Sequence, residues 1–201
     1  VKSSGNTIDF SRNLERLGAD LSRKIPELSH IDAGRVLFCL SRSRAEGTHG
    51  TYARICPLRF TAGKAETSRR RGRFRETFRM PALTHEGREI LYLVYVMVPR
   101  FLRLPFEQKL GTVIHELFHI SEKCDGDIRR FPGRNFAHGS SRERYNRMVR
   151  EMLEQYLASG PDPALLRFLR LTENDWLEGR IRLAGLNLPL PRARLVAREK
   201  I

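Results

Sequence analysis

The segment Val113-Ile114-His115-Glu116-Leu117-Phe118-His119-Ile120 narrows what this chain can become more than any other. Histidines four residues apart lie on one face of an α-helix, one turn above the other, so their ring nitrogens can reach a single point. Neutral imidazole is a favoured ligand of tetrahedral Zn²⁺, and Glu116 sets a carboxylate where it can take a proton from water beside such an ion. The flanks read as helical, because Leu110, Val113, Ile114, Leu117, Phe118 and Ile120 recur at spacings of three and four. Pro105 suits a helix start and Glu107 suits the positive end of the helix dipole. The bland alternative is a core helix whose histidines only hydrogen-bond their neighbours. Two histidines, the glutamate and apolar flanks in one pattern argue against it.

Two imidazoles do not complete a catalytic zinc site, which takes three protein ligands and keeps a fourth position open. His138, within Phe136-Ala137-His138-Gly139, is the candidate third ligand, and 18 residues separate it from His119. Gly133, Asn135 and Gly139 allow sharp turns in the returning loop. Asp125 is the rival, six residues past His119, although compact zinc proteases with that interval have a glycine midway where this chain has Glu122. Glu143, Glu151 and Glu154 on the next helix are further oxygen donors. Asp125 and Asp127 also fit a supporting role, accepting the outer N–H of a ligating imidazole. An Asp-Gly turn that closes the helix, or ion pairs with Arg129, Arg130 and Arg134, would use them equally well. Cys124 and Tyr145 read as packing residues, although the Tyr145 phenol is also a candidate to steady an oxyanion.

A chain of 201 residues can bury one sizeable core. It is read as residues 1–160 forming the domain that carries the motif, with residues 161–201 a helical and extended basic extension of it. The apolar stretch from Glu89 to Val98 is too short to span a bilayer, so no membrane partner is expected. Cys39, Cys56 and Cys124 show no paired spacing, which favours a reducing, cytoplasmic setting. The formal net charge is +14, carried mostly by arginine, which binds phosphate bidentately. The densest run spans Arg69 to Arg79 and interleaves Phe74 and Phe78 with guanidinium groups. Such a run can contact nucleic acid nonspecifically, or it can be a solvated loop.

Phe10, Leu14, Leu17 and Leu21 predict an amphipathic helix over residues 7–25, stopped by Pro26. Val36 to Leu40 and Tyr52 to Phe60 predict strands, either of which can line a substrate groove, with Pro57 confining the second to an edge or bulge. His49 between them reads as an exposed turn residue. Ile90 to Val98 predicts a strongly apolar strand, buried on both faces or central in the sheet. A second helix over 141–158 ends at Gly160-Pro161. Beyond it, a short helix is expected near Leu165 to Leu171, another capped by Thr172 and running through Trp176, an extended piece from Leu186 to Pro191, and a mobile basic arm through Arg192, Arg194, Arg198 and Lys200. The fold class is α+β, with a small mixed or antiparallel sheet packed on the motif helix and further helices flanking it.

This order of elements resembles the minimal zincin fold of SprT-like metallopeptidases. The stretch from His115-Glu-Leu-Phe-His119 through Asp125-Gly-Asp127-Ile-Arg-Arg130 to Gly133-Arg134 and Ala137-His138-Gly139 is similar to the phage metallopeptidase family. The specific part of the resemblance covers about residues 105–145. It implies a zincin-like domain with Zn²⁺ as cofactor, His115, His119 and His138 as its ligands, Glu116 as the base and a protein or peptide as substrate. SprT-like kinship further implies proteolysis near DNA. A rival reading is a nucleic-acid-binding protein with a structural zinc site and no protease activity. A third is a regulatory protease of the anti-repressor kind. An open coordination position and dependence on Glu116 separate enzyme from binder.

Overall fold

The computed structural model describes residues 6–42, 51–131 and 141–201. Strand β1 (Asn6–Asp9) runs directly into helix α1 (Phe10–Lys24). The helix starts three residues later than its periodicity suggested, because Asp9 adopts an extended conformation and caps it, accepting the Arg12 N–H at 3.0 Å. Phe10, Leu14, Leu17 and Leu21 are fully buried, and Arg23 and Lys24 complement the negative end of the dipole.

Strands β2 (Val36–Arg42) and β3 (Ala53–Pro57) precede two hairpins, β4 (Glu66–Arg71) with β5 (Phe74–Arg79), and β6 (Leu83–His85) with β7 (Arg88–Ile90). Strand β8 (Tyr92–Val98) is central in a mixed sheet ordered β2-β8-β3. It pairs parallel with β2 and antiparallel with β3. The near-continuous apolar runs of β2 and β8 follow from burial on both faces. Val36, Phe38, Tyr92, Val94 and Val96 face the main core, whereas Leu37, Cys39, Leu93 and Tyr95 join a second cluster with Leu58 and Ile90. Strand β3 is an edge, as Pro57 requires.

Helix α1 lies close against β2, since a Cβ on Gly18 would stand 3.1 Å from the Phe38 ring. Helix α2 (Phe106–Phe118) buries Leu110, Val113, Ile114, Leu117 and Phe118, and α3 (Arg142–Ala158) packs on it through Tyr145, Val149 and Met152. Each fully buried large apolar side chain contributes about 1.5–3 kcal/mol. Past α3, a turn of helix α4 (Pro163–Leu166) passes into a 3₁₀ segment, Arg167–Arg170, where a single short helix was expected. Leu165, Leu166, Phe168 and Leu169 enter the same core as α2. The buried Lys109 of α2 donates to the carbonyls of Leu169 (3.1 Å) and Leu171 (2.6 Å), and its burial lowers its pKa to about 8. Thr172 and Asp175 form a capping box on α5 (Glu173–Leu177). Strand β9 (Ile181–Ala184) pairs parallel with β1.

The basic C-terminal stretch is not a mobile arm. Strand β10 (Arg194–Lys200) pairs antiparallel with β5, so the arginine-rich run is the hairpin of a three-stranded sheet ordered β10-β5-β4, not a loop. β10 supplies the hydrogen-bonding partner that the outer edge of β5 would otherwise lack. Among the described residues no helix is long and apolar enough to cross a membrane.

A buried acid ties α1 to α3. Asp20 is 5% exposed and accepts the Tyr156 hydroxyl at 2.7 Å, with Arg23 and Lys24 alongside. Burial alone would raise its pKa, but the hydrogen bonds from Tyr156 and Arg23 and the positive charges outweigh it and hold the carboxyl below its ordinary value. A depressed carboxylate stabilises the fold above its unfolded pKa, and that stabilisation is lost as the pH falls through the folded value. Tyr156→Phe should therefore cost about 1.5–3 kcal/mol at pH 7, and the gap from wild type should narrow below about pH 4. Urea unfolding across this range checks it; a gap that stays constant would show that the ionised carboxylate is not what the phenol stabilises.

Candidate metal centre

His115 lies in the last turn of α2, and His119 is the C-cap residue immediately past Phe118. His119 still has helical φ and ψ, so the four-residue interval stacks the two rings on the same side. Their Nε2 atoms are 3.1 Å apart. Two nitrogens bound at 2.0–2.1 Å to one tetrahedral ion lie roughly 3.3 Å from each other. The pair thus has the bite that a single zinc ion requires, and His115 and His119 fit as two of its ligands.

Glu116 points from the same helix turn toward the sheet. It is 7% exposed, and its Oε2 accepts the backbone N–H of Ile55 in β3 at 2.7 Å. Burial pushes the carboxyl up to about 7, against the lowering influence of the Ile55 hydrogen bond and the Arg54 charge. His115, Glu116 and His119 line a cleft of about 830 Å³ bounded by β3, α2 and α3, where Tyr52, Ile55, Leu104, Thr112, Asn146 and Val149 form its walls. The expectation that the β3 segment lines a groove holds, and β3 also supplies a hydrogen bond that side-chain reasoning did not reveal.

Tyr145 supports the pair from α3. It is 1% exposed, its hydroxyl donates to the His115 carbonyl at 3.1 Å, and it lies 3.4 Å from His119 Nδ1. Its ring stacks on His119 and meets His115 edge-on. Burial raises the phenol pKa, so the hydroxyl keeps its proton and acts as a donor. It engages the helix end that carries the histidine pair.

Asp125 and Asp127 build a turn. The Asp125 carboxylate accepts the Ser121 hydroxyl at 2.6 Å and the Asp127 N–H at 3.2 Å. Asp127 accepts the N–H groups of Ala62 (3.0 Å) and Ile128 (2.8 Å) and pairs with Arg130. The Tyr92 hydroxyl accepts from Gly126 and donates to the Asp127 carbonyl. Gly126 has φ +88°, and a Cβ there would stand 2.5 Å from the Arg59 side chain. The chain then returns beside the helix end, with the Arg129 N–H on the His119 carbonyl and an antiparallel bridge from Ile120 to Ile128.

Among the described residues no group of three or more His, Cys, Asp or Glu side chains is placed to hold a metal ion. Asp125, Glu143, Glu151, Glu154 and Cys124 are therefore not brought to the histidine pair. The turn commits Asp125 to Ser121, and Glu143, Glu151 and Glu154 of α3 are exposed. His138 and His49 lie outside the described residues.

A family model described as "putative phage metallopeptidase" matches residues 10–156. The chain belongs to this family. No curated protein and no solved structure matches it. The match to the phage metallopeptidase family runs from α1 through nearly all of α3, so it contains every element that bounds the cleft. A metallopeptidase implies a metal cofactor and a protein or peptide substrate, consistent with the fit of the His115–His119 pair to one ion.

Removing a hydrogen bond behind a metal-binding histidine typically weakens metal affinity by about 10–100-fold. Tyr145→Phe, which keeps the ring packing and deletes only the hydroxyl, should weaken zinc binding by roughly tenfold. Competition with a fluorescent chelator measures it; an unchanged affinity would remove the phenol from the support of the histidines.

Proposed function

We propose that the chain is a zinc-dependent metallopeptidase with a zincin-like catalytic domain in residues 1–160, in which His115, His119 and His138 hold the ion and Glu116 is the general base. The observation that carries this reading is the convergence of two Nε2 atoms 3.1 Å apart beside a buried carboxylate in an open cleft. His138 as third ligand is supported by what flanks it. Phe131, just before its segment, packs on Phe118 and Tyr145 at 5.8 and 5.6 Å, and Tyr145, just after it, touches both histidines. Both flanks of the segment thus join the aromatic cluster that Tyr145 places against the pair.

A bound zinc ion supplies Lewis acidity, polarising a carbonyl and making water easier to deprotonate near neutral pH. Glu116 takes the proton from the attacking water, which frees the oxygen to bond to the scissile carbonyl carbon. The same carboxyl then returns the proton to the amide nitrogen as the C–N bond breaks, so the amine leaves neutral. The Ile55 N–H holds one carboxylate oxygen and leaves the other for this traffic. The cleft runs along β3, an edge strand among the described residues, and an elongated groove beside a strand suits an extended peptide.

Glu116→Gln should still bind one equivalent of zinc but lose at least about 10²-fold in turnover of a quenched fluorescent peptide library. Comparable turnover in that variant would take Glu116 out of the mechanism. His138→Ala should lower zinc occupancy more than Asp125→Ala. The reverse order, read by elemental analysis after dialysis, would give the third position to Asp125.

A further inference from the structure

We infer that the three-stranded sheet β10-β5-β4 is a docking surface for single-stranded nucleic acid, formed where the C-terminal strand adds its cations to the arginine hairpin. The inference is independent of the zinc chemistry, because it concerns a different sheet from the one that bounds the cleft.

The first ground is that, among the described residues, this sheet covers no apolar core. None of its strand residues belongs to either hydrophobic cluster or packs against one, and every residue of β4 except Glu66 is exposed. A small sheet ordinarily needs an apolar face or a helix against it. Here the face holds charge instead.

The second ground is the register. Phe74, Glu76 and Phe78 share one face of β5, since alternate residues of a strand point the same way. Arg69 of β4 and Arg198 of β10 both lie directly across from Glu76, and Arg71 and Lys200 both lie across from Phe74. Two cations therefore flank one carboxylate, and two more lie one cross-strand pair further along the same face. Glu76 is 4% exposed and holds Arg69 and Arg198 at 3.7 Å each, which fixes their stems. The opposite face repeats the excess, with Arg70 and Arg75 facing each other and Arg194 across from Arg79.

The third ground is stacking. Arg198 lies 4.0 Å from the centroid of Phe74 and Arg69 lies 4.5 Å from that of Phe78. A guanidinium laid flat on a ring presents a planar face to a base and keeps N–H edges for phosphate. Planar groups beside a positive track are what an unpaired strand uses, whereas a duplex hides its bases and asks for a helix or ribbon that enters a groove. An acidic membrane would instead favour protruding aromatic or aliphatic anchors, and both rings here are half-buried beneath arginine.

Fluorescence anisotropy with a labelled mixed-sequence 20-nucleotide single strand, its duplex and anionic phosphatidylserine vesicles tests the inference, using the full chain carrying Glu116→Gln so that proteolysis cannot interfere. The single strand should bind more tightly than the duplex, and the triple variant R69Q/R71Q/K200Q, all on the face of Phe74 and Phe78, should weaken it at least tenfold in about 100 mM salt. The log–log salt slope should fall in magnitude by about 2. R12Q/R16Q/R167Q, which removes the same charge from exposed positions elsewhere, should change affinity less than threefold. Equal losses in the two triple variants, preference for duplex, tighter binding to the vesicles, or no salt-sensitive binding would each overturn it. Loss of peptidase activity would leave it untouched.

Discussion

A carboxylate removed from water is destabilising unless a donor meets it. Glu116 is such a carboxylate, and its donor is the backbone N–H of Ile55. Ile55 lies on β3, whose position is set by pairing with β8 in a sheet buried on both faces. The hydrogen bond therefore holds the end of α2 to the edge of the sheet at one register. His115, the preceding residue, and His119, one turn on, are oriented by the same docking. Tyr145 and Phe118 complete it from the other side, packing aromatic surface behind the imidazoles. Site geometry and core packing are thus one arrangement seen at two depths.

Periodicity made the two longest helices legible, because their apolar residues must face one core. The double-sided burial of β2 and β8 was legible as unbroken apolar runs, and Pro57 correctly marked β3 as an edge. Short pairings were not. β1 is four residues of mixed character, and its parallel partner β9 lies far along the chain, so no local pattern announces either. β10 was hidden because its charges read as a solvated tail, although Leu195, Val196 and Ala197 supply the strand propensity. In the site, the motif residues declared themselves through side-chain chemistry. The Ile55 donor did not, since a backbone N–H leaves no mark on residue identity. Asp125 and Asp127 fitted a supporting role or a turn equally well, and the hydroxyl of Ser121 and the N–H groups of Ala62 and Ile128 engage them in a turn.

The chain's charge is arranged with two different consequences. Around the cleft it is sparse, with Arg54 near Glu116, so burial dominates the carboxyl's proton affinity. On the β10-β5-β4 sheet it is concentrated and solvent-facing, where it attracts polyanions over a distance set by salt screening. After α3, Leu165, Leu166, Phe168 and Leu169 pack into the core that α2 shares, Lys109 donates to the carbonyls of Leu169 and Leu171, and the chain then continues to β9 and β10.

X-ray absorption at the zinc edge of the metal-loaded protein tests the central claim most directly. The account predicts one zinc per chain with imidazole nitrogen at about 2.0–2.1 Å, and loss of that signal and of stoichiometric zinc in the double variant H115A/H119A. Zinc retained by the double variant with unchanged imidazole scattering, or no zinc bound by the wild type, would contradict it.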